Sequence, residues 1–197
     1  MSVKKVLAGL VAVIALITMS GCSSDRGVMA AEVGDWKLSQ VALDQEVNGI
    51  LDLLVPLNEG YRTADITGFV LQSEIVGRIM TKVLGQMDGV TVTEEMIQQY
   101  MLSQYGPNSV MHMLRADPRF KGLIDGAVTW NVVMVMRNAG MIDSAVLANN
   151  LSKVSKTVKI NPRYGDWDVA EHTVTSRAYA LVQQGSLAEP TSFTIPQ

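Results

Sequence analysis

The feature that most constrains this chain is its only cysteine, Cys22, together with the segment that leads to it. Lys4 and Lys5 give a basic start, Val6 to Met19 form an apolar run broken only by Gly9 and Thr18, and Ser20-Gly21 put small residues before the thiol. A positive end, a short apolar stretch and a small-residue cleavage site are the layout of a secretory signal ending in a lipobox. Residues 1–21 are then removed and Cys22 becomes the lipidated (palmitate-bearing) first residue of the mature protein. The competing reading is an ordinary signal peptide or short anchor with an incidental cysteine, and Met19 is the residue that departs from the lipobox pattern. The apolar run falls short of the about 20 residues that a comfortable membrane span needs. With Cys22 carrying lipid, no thiol remains for a disulfide framework or a nucleophile. Burial alone must hold the rest of the chain together.

Cleavage before Cys22 leaves 176 of the 197 residues, enough for one domain. It removes Lys4 and Lys5 but no acid, so 14 basic side chains stand against 19 acidic ones, a formal charge of −5. Such a balance argues against a nucleic-acid partner. The expected organisation is a spacer over 22–28, a folded domain over 29–168 and a partly mobile extension over 169–197.

Apolar spacing predicts a mainly α fold of five to six helices. Val28 to Val33 reads as a short strand ending in the Gly34-Asp35 turn signal. Ser39 is then placed to cap a helix with apolar positions Val41, Leu43, Val47, Ile50, Leu51 and Leu54, stopped by Pro56. A second helix, capped by Thr63 or Asp65 and running to about Gln86, has an apolar arc so broad that it should be central. Thr93 caps a third helix through Tyr105, with Glu94 and Glu95 complementing its positive end, and Gly106-Pro107 halts it. Ser109 starts a short fourth segment through Leu114. Asp117-Pro118 is a helix-start signal for a stretch to about Asn138, stopped by Gly140. Within it, Val132 to Met136 is five consecutive apolar residues that also suit a buried strand; length and flanking caps favour helix. A weaker helix follows from Ser144 to about Lys153.

The C-terminal fifth changes character. Thr157 to Ile160 alternates like a strand, Asn161-Pro162-Arg163-Tyr164-Gly165 ends it in a turn, and Val174 to Val182 reads as one short helix. Gly185 to Gln197, with Pro190 and Pro196, reads as an extended tail.

The chemistry in the sequence is sparse. His112 and His172 lie far apart and lack the spacing of a metal site, so both read as ordinary surface or tail histidines. Glu94-Glu95 is explained by the helix dipole rather than by catalysis. No phosphate-cradling loop, dinucleotide fingerprint or nucleophile elbow is present, and neither a catalytic residue, a metal nor a cofactor is expected. Methionine is the positive oddity. Of twelve, ten follow the leader, and all of these but Met29 lie between Met80 and Met141. Methionine moulds to many apolar partners, as adaptable binding surfaces exploit, but it also fills gaps in cores. Met80, Met134 and Met136 read as core. For Met96, Met101, Met111 and Met113, beside Tyr100 and Tyr105, an exposed peptide-binding groove and a core role are equally supported.

A strand and turn from Met29 to Lys37 leading through Ser39 into a helix, a long apolar helix, the Gly89 to Glu95 link and a returning strand follow in order. With the Asn161-Pro162-Arg163-Tyr164-Gly165 turn followed by Trp167, this resembles the N-terminal chaperone domain of SurA- and PrsA-type extracytoplasmic foldases, in a short actinobacterial-like lipoprotein form. The resemblance spans about Met29 to Asp168. It implies a helical domain whose first and last strands pair in a small two-stranded sheet, and a role in holding unfolded or newly translocated polypeptides. Those foldases also carry a parvulin-type prolyl isomerase domain, a unit of about 100 residues. Only thirty residues follow Trp167. The expectation is therefore a membrane-anchored, ATP-independent holdase without isomerase activity. A lipoprotein serving one dedicated envelope partner, and a residual isomerase, are the alternatives.

Overall fold

The computed structural model describes residues 29–57 and 61–175. Across these residues the fold is mainly α, with six helices around a small sheet. Strand β1 (Met29–Val33) turns at Gly34-Asp35 into β2 (Trp36–Ser39), and Gly34 takes the left-handed φ of 62° that the tight turn requires. β1 also pairs antiparallel with β3 (Val158–Ile160), Val33 opposite Val158 and Ala31 opposite Ile160. The expected pairing of first and last strands is present. The sheet is wider than expected, three strands in the order β2-β1-β3, because the chain after Gly34 folds back as a hairpin partner. Ala31 and Val33 of the central strand are fully covered.

Ser39 caps helix α1 (Gln40–Leu54), its Oγ accepting from the Ala42 amide at 3.1 Å. Leu43, Val47, Ile50 and Leu54 form its buried stripe, while Val41 is 58% exposed and lies off it. Helix α2 (Thr63–Leu84) starts without a side-chain cap, contrary to the expectation for Thr63 or Asp65. Asp65 instead holds the Arg62 guanidinium in a two-point ion pair at 2.9 and 3.0 Å. The broad apolar arc of α2 makes it the central helix, in contact with α1, β1 and two of the later helices. Its closest neighbour is α5 (Lys121–Asn138). Gly77 and Gly126 meet where a Cβ on Gly126 would stand 3.0 Å from the Gly77 Cα, so only glycine lets the two backbones approach this far.

Helix α3 (Glu94–Tyr105) is capped by Thr93 and ends at Gly106, and α4 (Val110–Ala116) is capped by Ser109. Helix α5 begins later than Asp117-Pro118 suggests. The Asp117 carbonyl accepts from the Phe120 and Lys121 amides and its carboxylate is taken by Arg119, so these residues make a separate turn before the helix. Val132 to Met136 is helical, with Val132, Val133 and Met136 buried. The run is long because α5 is covered on several sides. Helix α6 (Ser144–Ser155) starts where expected, capped by Asp143, and extends two residues beyond Lys153. No described helix is long and apolar enough to cross a membrane.

After β3 the expected turn forms. Asn161 donates from its amide to the Ala30 carbonyl at 2.9 Å and from Nδ2 to the Met29 carbonyl at 3.0 Å, tying the turn to the start of β1. Its Oδ1 accepts from the Arg163 amide, and its carbonyl from the Tyr164 amide. Strand β4 (Asp166–Asp168) then pairs with β5 (Thr173–Thr175) in a hairpin. Thr173–Thr175 is thus a strand, where a helix from Val174 was expected, and the hairpin straddles the expected boundary at residue 168. Gln72 of α2 holds β5 in place, its Oε1 accepting from the Val174 amide at 2.7 Å and its Nε2 donating to the His172 carbonyl at 3.0 Å. A side chain a hundred positions away satisfies both groups, which is why local pattern does not reveal this strand. The expected leader, Cys22, the expected spacer and residues 176–197 lie outside the described residues.

Candidate functional site

The methionine and tyrosine cluster of α3 and α4 is mostly absorbed by packing. Met101 is fully buried and Tyr100 is 8% exposed. Burial, with Tyr105 nearby, pushes the Tyr100 hydroxyl up to about 12. Met96, Met111 and Met113 are half-buried against the core, and Tyr105 is 39% exposed. The six expected peptide-contacting residues therefore do not form one open groove. Met101 and Tyr100 face inward because α3 packs on α5, and period 3.6 carries their side of the helix into that contact. The ion cluster around Arg115 locks the same layer. Its guanidinium bonds Asp125 and Glu94, each at 2.5 Å, and Lys121 joins both acids.

An open cleft lies instead between α5, α6 and the β4–β5 turn, with a volume of about 520 Å³. Trp130 and Met134 lie one turn apart on α5, Leu147 and Leu151 one turn apart on α6, and Val169 closes the third side. Leu147 and Leu151 are the floor, at 0% and 5% exposure, whereas Val169 at the rim is 38% exposed. Arg137 and His172 supply the polar rim. An apolar side chain of an extended polypeptide suits the floor, and the Arg137 guanidinium suits a carbonyl or carboxylate beside it.

His172 fixes the geometry of this rim. It is half-buried rather than an ordinary tail residue, and it takes a φ of +54°, rare for a residue with a Cβ. Its ring meets Trp130 edge-on at 5.3 Å and lies 6.4 Å from Trp167. Its Nδ1 bonds the Ser155 hydroxyl at 3.0 Å, and the same Oγ accepts from the Trp167 indole N–H at 2.8 Å. Burial lowers the His172 pKa, opposed in part by Asp168 and Glu171, so the neutral ring is favoured. Ser155 is fully buried, and its contact with His172 braces the cleft. Trp167 packs on the end of α6, and within the turn it is Asn161 that bonds to β1.

A second buried polar group was not legible in the sequence. Glu46 of α1 faces Glu74 of α2, and burial followed by repulsion from Glu74 raises its pKa to about 7. Arg78 reaches Glu74 at 3.4 Å and lies 5.0 Å over the Trp36 ring. Glu46 Oε2 has no hydrogen-bond partner among the described residues, and neither does the buried Nε2 of His112, which is half-buried rather than on the surface.

The cleft residues carried a faint sequence signal, the i,i+4 pairs Trp130/Met134 and Leu147/Leu151. Nothing local told that these pairs would face each other. Comparison with known proteins gives no matching family model, no matching characterised protein and no matching solved structure.

Proposed function

We propose that this protein is an extracytoplasmic lipoprotein, anchored through Cys22, that holds unfolded or newly translocated polypeptides without ATP and without prolyl isomerase activity. The observation that carries the reading is the cleft of Trp130, Met134, Leu147, Leu151 and Val169, apolar inside and polar at the rim. It offers a client one or two apolar side-chain seats, which gives weak, reversible capture of the kind a holdase needs. The sequence before Cys22 and the resemblance of the strand-helix frame to SurA-type domains support the location and the role. The reading makes no use of α3 and α4 beyond Met96, Tyr105, Met111 and Met113, whose partial exposure could widen the contact surface.

The test is suppression of aggregation of a chemically unfolded client. The wild-type chain should slow light scattering at equimolar ratio, and Met134→Glu should remove most of that effect while the melting temperature stays near that of the wild type. Unchanged suppression would sink the cleft as the holding site. A photoreactive residue belongs at Met134, since Met101 is buried. Many crosslinked secreted chains in intact cells would support a holdase, whereas one dominant species would replace it with a dedicated partner.

A further inference from the structure

The solvent face of the three-stranded sheet is a surface for anionic phospholipid headgroups; we infer this from where the cations and the chain entrance lie, and the inference rests on the anchoring of Cys22. Glu32 of β1 stands opposite Lys37 of β2 and Lys159 of β3. Directly opposed residues in antiparallel strands project from the same face, so the two lysines flank Glu32 on the side away from the core. Lys159 reaches Glu32 at 3.4 Å, but the lysine is 77% exposed and the glutamate 25%, so the cation is outermost.

The chain around β3 extends this charge. Residues 153–163 hold Lys153, Lys156, Lys159 and Arg163, all exposed, and no acid, in a mature chain of formal charge −5. Asp166 is the next acid along. This segment is bound to the entrance of the domain by the two Asn161 hydrogen bonds to the carbonyls of Met29 and Ala30. Met29 follows Cys22 by seven residues. However they are arranged, seven residues carry the chain at most roughly 25 Å. A shallow depression of about 680 Å³, lined by Met29, Glu32, Lys159 and Asn161 among others, opens at the same edge. The cations thus lie beside the point from which the lipid anchor must run, where an anionic surface attracts each of them.

Vesicle flotation of the processed chain with Cys22→Ser, which has no lipid of its own, tests the surface. Binding is expected on phosphatidylcholine vesicles that contain phosphatidylglycerol and not on phosphatidylcholine alone, and it should fall as salt rises. Lys37→Gln and Lys159→Gln should each lower partitioning by roughly fivefold. Lys121→Gln, in the ion cluster between α3 and α5, should leave it unchanged. Binding that ignores phosphatidylglycerol, or that is insensitive to Lys37 and Lys159, overturns the inference. Palmitate incorporation in cells reads the anchor separately. No label on the wild-type chain with vesicle binding intact removes the anchor and keeps the surface, whereas label without vesicle binding overturns the surface alone.

Discussion

The α3–α4 layer and the cleft between α5 and α6 are built from similar residues, methionines beside aromatics at helical spacing, yet they end in opposite states. In the first, Met101 and Tyr100 are consumed by packing against α5, and the Arg115 ion cluster fastens the layer. In the second, Trp130 and Met134 stay half-buried because α6 and the β4–β5 turn stop short of closing over them. The difference lies in what stands opposite each helix face, not in the side chains themselves. Adaptable side chains become a binding surface only where the tertiary frame leaves them without a neighbour.

The sharpest way to break this comparison is truncation of one methionine from each region. Met101→Ala should cost about 4 kcal/mol, as for a fully buried methionine, and Met134→Ala about 1 kcal/mol, both read by urea unfolding. Equal losses would mean that the cleft is as tightly filled as the core. Next in size is Trp167→Ala, expected to cost about 3 kcal/mol through lost packing and the lost bond to Ser155. It should also free the His172 ring, visible as a shifted imidazole titration by NMR. A stability loss with no change at His172 would show that the bracing of the cleft does not run through Trp167.

Gly126→Ala should cost about 2 kcal/mol, since its Cβ meets backbone rather than a movable side chain. The effect should appear as a lower melting temperature; a neutral result would mean that α2 and α5 can separate at no cost. The smallest effect is the pH dependence. The Glu46 carboxyl is raised to about 7 from 4.5, so its contribution to stability is complete below 4.5 and is lost as pH rises through 7. Glu46→Gln should therefore raise the melting temperature at about pH 8 and change it little at about pH 5. His172 runs the other way. Its pKa is lowered from 6.5, so the stability it gives is present above 6.5 and falls as the pH drops below that value. A Glu46→Gln effect that is the same at both pH values would show that the carboxyl does not change charge there.

Much of the frame was legible because its signals are local. Ser39, Thr93 and Ser109 each cap the helix they precede, and Gly34, Gly106 and Gly140 take the positive φ that ends a turn or helix. The Asn161 turn forms where its residues place it, and its bonds to β1 agree with the strand pairing that the resemblance implies. The missed features depend on distant partners. Strand β5 exists because Gln72 satisfies its backbone, Trp167 and His172 meet at Ser155 on the end of α6, and the Glu46 and Glu74 carboxyls come together only when α1 lies on α2.

The sequence by itself determined the mainly helical class and the helix starts set by Ser39, Thr93 and Ser109. Each of these follows from short-range capping, apolar period or turn chemistry, which act within a few residues. Only the tertiary structure decided which methionines are hidden, that Trp130, Met134, Leu147 and Leu151 share one open cleft, and that Lys37 and Lys159 lie side by side across β1. Those outcomes depend on the phase at which one element meets another, and that phase is set by packing between residues far apart in the chain.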